Sequence, residues 1–143
     1  MTNIEKGKMI EAIPENWRQV YKFLSEQLLP ICPNKNYILN LLISSEELFT
    51  NIAKYAYTPN TGPVEIYFEF DKSKFCVKIT FTDQGVPFNP TLFKNFDIKK
   101  PFKDRKIGGL GIFIVENMVD KFEYKFFNKK NICTISKIIQ KEE

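Results

Sequence analysis

The chain has no histidine in 143 residues. That removes serine–histidine–aspartate triads, imidazole metal sites and a histidine phosphoacceptor within this chain. Acid–base chemistry must then use carboxylates, lysine or tyrosine. Cysteine is scarce: Cys32, Cys76 and Cys133 are odd in number and form no C-x-x-C pair. They read as buried thiols, not as a disulfide framework or a zinc site. No apolar run approaches the roughly 18 residues that span a bilayer. The N-terminal "MTNIEKGKMIEAIPENW" has no apolar core of a signal peptide, so the expected location is the cytoplasm, with no membrane contact. Repeats, low-complexity tracts and domain-splitting linkers are also missing. One domain over residues 1–143 is expected.

What is present is a soluble-type composition with 14 phenylalanines and a net charge of +4. That charge is too small to indicate nucleic acid. It is concentrated, however. Lys94, Lys99, Lys100, Lys103, Arg105 and Lys106 face only Asp97 and Asp104, so this short stretch carries the whole excess.

Periodicity divides the chain into alternating elements. "IEKGKMIEAI" reads as a first strand, and "PENWRQVYKFLSEQLL" as a helix that Pro14 opens and Pro30 stops. Its apolar stripe is Trp17, Val20, Tyr21, Leu24 and Leu28. "NKNYILNLLISSEELFTNIAKYAY" reads as a longer helix. Ile38, Leu41, Leu42, Phe49, Ile52 and Ala56 form one side of it, and Asn40, Ser44, Glu47, Asn51 and Lys54 the other. "VEIYFEF" and "KFCVKITFTD" alternate with period two around "DKSK", a β-hairpin. Residues 84–106 lose periodicity and collect Pro87, Pro90, Pro101 and the lysines, a long loop of the kind that serves as a lid. A glycine-rich helix follows, then "KFEYKFF" and "NICTISKII" around "NKKN". The order β, α, α, β, β, loop, α, β, β predicts a two-layer α+β sandwich, not a doubly wound parallel sheet.

Four places carry residues that folding alone does not ask for. Asp83 continues the parity of Phe75, Val77, Ile79 and Phe81, which aims a carboxylate at the apolar side of its strand. Either the strand ends early and Asp83 opens a turn with Gln84 and Gly85, or the carboxylate accepts a hydrogen bond from a ligand; an adenine amino group would fit. Glu47 and Asn51 share a helix face at i,i+4. They are a solvated polar face or an oxygen site. In the second case the amide of Asn51 suits Mg²⁺ and Glu47 can take a proton. The basic loop is a flexible charge run, or a lid whose lysines and Arg105 neutralise polyphosphate. Last, "KIGGLGIFIVENMVD" places Gly108, Gly109 and Gly111 at the start of an apolar helix, where each glycine costs roughly 1 kcal/mol against alanine. They end the loop and allow close packing, or they expose backbone N–H groups to phosphate. The dinucleotide fingerprint does not apply, because a loop and not a strand precedes them.

In order, "EELFTNIAKYAY", "DQGVPFNP" and "IGGLGIFIVENMVDKFEY" resemble the N-box, G1 box and G2 box of the GHKL superfamily, and within it most closely the bacterial anti-sigma factor serine kinases. The resemblance runs from about Ile10 to Ile139. It implies a Bergerat-type ATP fold, with helices on one face of a mixed, mostly antiparallel sheet. It implies that Glu47, not its neighbour Glu46, is the general base and that Asn51 binds Mg²⁺. By the same resemblance Asp83 binds the adenine amino group and Gly85 lets the base lie close. Gly108, Gly109, Leu110 and Gly111 line the phosphates with Arg105 nearby, and Thr134 reaches the adenine site from the last strands. The implied activity is Mg·ATP-dependent serine phosphorylation of a STAS-type anti-anti-sigma protein, with a sigma factor as second partner and a homodimer as the assembly. The alternative is a nucleotide-dependent module that sequesters a sigma factor or other regulator without catalysis. A histidine-kinase catalytic fragment ranks below both, since no phosphoacceptor histidine is present. Three features depart from the wider superfamily: Pro87 replaces the second G1 glycine, the N-box histidine is absent, and so is the glycine–threonine of the last strand pair.

Overall fold

A computed structural model describes residues 3–93 and 109–140, with the backbone alone at 92, 93, 109 and 110. The basic loop, including Arg105 and Gly108, lies outside the described residues. The first strand, β1 (Ile4–Glu11), leads through a 3₁₀ turn (Pro14–Asn16) into α1 (Trp17–Leu28). Pro14 suits that first turn, where its missing N–H would have had no partner. Val20, Leu24 and Leu28 of α1 are buried, but Tyr21 is half exposed and only edges the Trp17 ring. The buried stripe is therefore narrower than its period suggests.

The long helix α2 (Lys35–Tyr55) starts at Asn34, whose Oδ1 accepts hydrogen bonds from the N–H groups of Asn36 (2.9 Å) and Tyr37 (3.2 Å). Two of the orphan donors of the first turn are thereby satisfied. Its expected apolar side is buried throughout: Ile38, Leu41, Leu42, Phe49, Ile52 and, just past the end, Ala56. Its polar side is not uniformly solvated. Ser44 is fully buried, with no partner for its Oγ.

The hairpin β2 (Pro63–Asp71) and β3 (Cys76–Asp83) is followed by a 3₁₀ turn (Pro90–Phe93), α3 (Gly109–Met118), β4 (Lys121–Phe127) and β5 (Lys130–Ile138). Asn128 and Lys129 join the last two strands with φ of 51° and 61°. Positive φ at both central residues belongs to a type I′ turn, which matches strand twist. The sheet order is β1-β2-β3-β5-β4. Every pairing among the described residues is antiparallel, where the resemblance implied a mixed, mostly antiparallel sheet. With no parallel pair, no crossover of the dinucleotide-binding type exists among the described residues.

One face of the sheet carries the core. Val64, Ile66, Phe68 and Phe70 of β2, Val77, Ile79 and Phe81 of β3, and Cys133 and Ile135 of β5 are buried. They meet α1, Leu41, Leu48 and Phe49 of α2, and Ile112 and Val115 of α3. Each fully buried phenylalanine removes apolar surface worth about 1.5–3 kcal/mol. The other face stays open: Gly7 leaves room for the Tyr67 ring, 3.3 Å from where a Cβ would stand. Since Asn34 anchors the helix that presents Glu47 and Asn51, Asn34→Ala should lower unfolding stability by about 1 kcal/mol in urea titrations, with Asn34→Asp close to wild type. An unchanged midpoint for Asn34→Ala would remove the cap from this account.

Candidate functional site

Asp83 lies at the end of β3, opposite Val64 on one side and Asn131 on the other. The strand does not end early. Asp83 stays in strand register, and its Oδ1 accepts the Gly85 N–H at 2.9 Å, which opens the turn. Only 5% of its surface is exposed. Burial pushes the carboxyl above the ordinary aspartate range, while hydrogen bonds from Asn131 and Gly85 pull the other way.

The loop after β3 is fastened to the end of α2. The Val86 N–H donates to the Ala56 carbonyl at 2.9 Å. The Tyr57 hydroxyl donates to the Pro63 carbonyl at 2.6 Å and accepts the Gln84 N–H at 2.8 Å. A Cβ on Gly85 would run into the Ala56 backbone carbonyl. That contact explains the glycine, because only a bare backbone can approach so closely. The Cβ side of Gly85 thus faces the residue just past α2.

Above this loop is a narrow slot that opens to solvent. Asp83, Asn51 and Asn131 are among its polar groups, and Leu48, Ile52, Val86 and Cys133 among its apolar walls. Tyr55 and Phe88, also in the lining, lie with ring centroids 6.0 Å apart and 26° between planes. A narrow apolar slot with few polar groups is the usual form of a small-molecule site. Burial also pushes the Cys133 thiol up to about 12, so it behaves as an apolar wall and not as a nucleophile.

Glu47 sits one turn before Asn51 but turns toward α3. Its Oε2 fills the place where a Cβ on Gly111 would be. Its neighbour Glu46 is exposed, so Glu47 is the carboxylate that meets another element. Burial raises the Glu47 carboxyl above the usual glutamate range, the Glu46 charge adds to this, and Lys54 opposes it. Gly111 is thus inside the first turn of α3, not in a loop before it. Gly109 and Leu110 are the first two residues of that helix.

Thr134 does not join the site. Period-two alternation puts it on the open face, where its Oγ1 is 3.1 Å from the Oγ1 of Thr80. Cys133, its neighbour, lines the slot instead, as does Asn131 of the same strand. Asn131 is a site residue that the motif reading passes over. It is 3% exposed and its Nδ2 donates to Asp83 Oδ1 at 2.9 Å. Its sequence position belongs equally to the turn "NKKN" and the strand "NICTISKII". Parity would have marked it, since Asn131, Cys133 and Ile135 alternate on the buried side.

A sequence profile of the histidine kinase-like ATPase domain matches residues 10–137. The chain is 30% identical over 110 residues to the serine-protein kinase RsbW of Halalkalibacterium halodurans, covering 74% of this chain and 65% of that protein. It is 31% identical over 108 residues to the RsbW of Staphylococcus aureus, covering 71% and 65%. The matched stretch is therefore just under two thirds of each relative. In structure, the RsbU and RsbW domains of a Mycobacterium tuberculosis protein superpose with a TM-score of 0.68 at 12% identity, over 97% of this chain and 33% of that one. The histidine kinase domain of a blue-light activated kinase from Erythrobacter litoralis gives 0.52 at 11% identity, over 88% and 60%. These two share the fold. With the profile spanning nearly all of the described residues, the chain belongs to the histidine kinase-like ATPase domain family.

Proposed function

We propose that this chain binds ATP in the Asp83 slot and transfers its γ-phosphoryl group to a serine of a STAS-type anti-anti-sigma protein, with a sigma factor as a second partner. The observation that carries this is the buried carboxylate of Asp83, with one oxygen left for a ligand, in a slot that Asn51 also lines, one α2 turn from the half-buried Glu47 that meets the first turn of the glycine-rich helix. The Asp83 oxygen would accept the adenine amino group. The first turn of α3, beginning at Gly109, would offer its N–H groups to the phosphates. Glu47 would then lie beside the γ-phosphate. It would take the proton of the serine hydroxyl as the serine oxygen bonds to phosphorus and the bond to the departing ADP oxygen breaks. A raised carboxyl suits that task, since proton transfer is best near the working pH.

Among the described residues no group of three acidic, cysteine or histidine side chains could hold a metal on its own. The donor set here is the single Asn51 amide, in the slot. That fits Mg²⁺, which keeps water and phosphate ligands, and not a cation caged by protein. Bound in this way it would neutralise phosphate charge, with Asn51 as its protein ligand.

Glu47→Gln should lower transfer of labelled phosphate to the cognate STAS protein by about 100-fold or more while leaving ATP affinity within about threefold. Gly111→Ala should act in the same direction, because the added Cβ displaces the Glu47 carboxylate. Equal transfer by wild type and Glu47→Gln would remove Glu47 as base. A nucleotide-dependent complex with no transfer by wild type would favour the sequestering function instead.

Asp83 separates affinity from stability. Its pKa is raised on folding, so the folded chain holds that proton more tightly than the unfolded one. The stability it contributes is full below the unfolded value and is lost as pH rises through the folded value. Above that folded value the charge therefore weakens the fold. Asp83→Asn keeps an acceptor at Oδ1 but turns a donor toward the slot. It should leave the melting temperature equal or higher at pH 7 and weaken ATP binding by about tenfold or more. A lower melting temperature with unchanged affinity would make Asp83 a structural residue only.

A further inference from the structure

Asn131 makes every hydrogen bond its amide can make. Its Nδ2 donates to Asp83 Oδ1 and to the Val86 carbonyl, both at 2.9 Å, with the Gly85 carbonyl at 3.4 Å. Its Oδ1 accepts the Phe88 N–H at 3.1 Å and the Tyr124 hydroxyl at 2.5 Å. Two donor hydrogens and two acceptor lone pairs are all in use. The amide cannot be turned over, since its oxygen would then face the Asp83 carboxylate and two carbonyls. One buried side chain thus ties β3, the loop after it, β4 and β5 together.

The consequence lies in which Asp83 oxygen it holds. Asn131 and the Gly85 N–H both donate to Oδ1. No hydrogen bond reaches Oδ2 among the described residues. The carboxylate is fixed in rotation, with one oxygen committed and one presented as a pure acceptor. We infer that Asn131 is the positioning residue that makes the slot select adenine over guanine. This rests on the reading of the slot as a nucleotide site. An acceptor-only oxygen pairs with the adenine 6-amino group and repels the guanine 6-oxo group. Without Asn131 the carboxyl can rotate, and it loses a donor that favours its charged form. Protonated, it can donate to the guanine oxygen, so discrimination falls. A site built on a hydrogen-bond pattern discriminates strongly only while that pattern is enforced.

The test is equilibrium binding of ATP and of GTP to the full chain and to Asn131→Leu, which keeps volume and removes the amide. Tyr124→Phe serves as a milder second variant that removes one of the bonds orienting Asn131. The wild type should prefer ATP. Asn131→Leu should lower the ATP-to-GTP affinity ratio by about tenfold or more, and Tyr124→Phe should lower it less. The pH below which ATP affinity drops should also move up in both variants. The titratable groups facing Asp83 are Tyr57 after α2, Tyr124 of β4 and Cys133 of β5. All three are raised and uncharged near neutrality, and β2 presents Val64, so among the described residues that pH edge belongs to Asp83. A purely structural Asn131 would lower affinity for both nucleotides alike and leave the edge in place. A wild-type ratio and edge in folded variants, with Asp83→Asn still weakening ATP, would overturn this inference and leave the nucleotide site standing. No ATP binding by the wild type would overturn both.

Discussion

A carboxylate on the buried side of a strand needs its charge answered, and Asp83 has one oxygen answered by the protein and one not. Taking an ionised carboxylate out of water costs several kcal/mol unless hydrogen bonds replace the water. Here Asn131 and the Gly85 N–H replace it on Oδ1 only. The surroundings make this half-answered state tenable. Tyr57 and the Ala56 carbonyl hold the loop after β3, Gly85 fits against α2, and Asn131 ties that loop to the start of β5. The slot exists because these groups fix an acceptor at the end of an otherwise apolar face.

The second half of the site depends on how α3 lies against α2. Its N-terminal turn meets the Glu47 carboxylate. At its other end the Lys137 ammonium donates to the Met118 carbonyl at 2.8 Å and stands 4.8 Å from the Tyr37 ring centroid. An anion at the N-terminus and a cation at the C-terminus both complement the helix dipole. About one turn before Glu47 the Ser44 hydroxyl is buried and unpaired. The α2–α3 contact places the Glu47 carboxylate against the first turn of α3. Gly111 makes that placing possible, because a side chain there would push Glu47 out.

Much of this was legible in the residues, and the exceptions have physical causes. Periodicities of 3.6 and 2 located the helices and hairpins, since each element buries one face. Asp83 and the Glu47–Asn51 pair stood out because a polar group broke or crossed such a pattern. Thr134 went to the wrong face because its motif is loose and strand parity decides the side. Strand parity marks Asn131 as buried, but its bond to Asp83 depends on register between β3 and β5, a pairing 48 residues apart that no local pattern reports. Ser44 was assigned to water because helical spacing alone does not report that tertiary packing buries it. Arg105, Gly108 and the basic loop lie outside the described residues, so their part in phosphate binding rests on charge and resemblance.

A crystal structure of the chain with a non-hydrolysable ATP analogue and Mg²⁺ tests the central claim most directly. The account requires the exocyclic amine of adenine within about 3 Å of Asp83 Oδ2, with Asn131 still holding Oδ1. A base bound elsewhere, or one in the slot with Asp83 Oδ2 turned away from it, would contradict it.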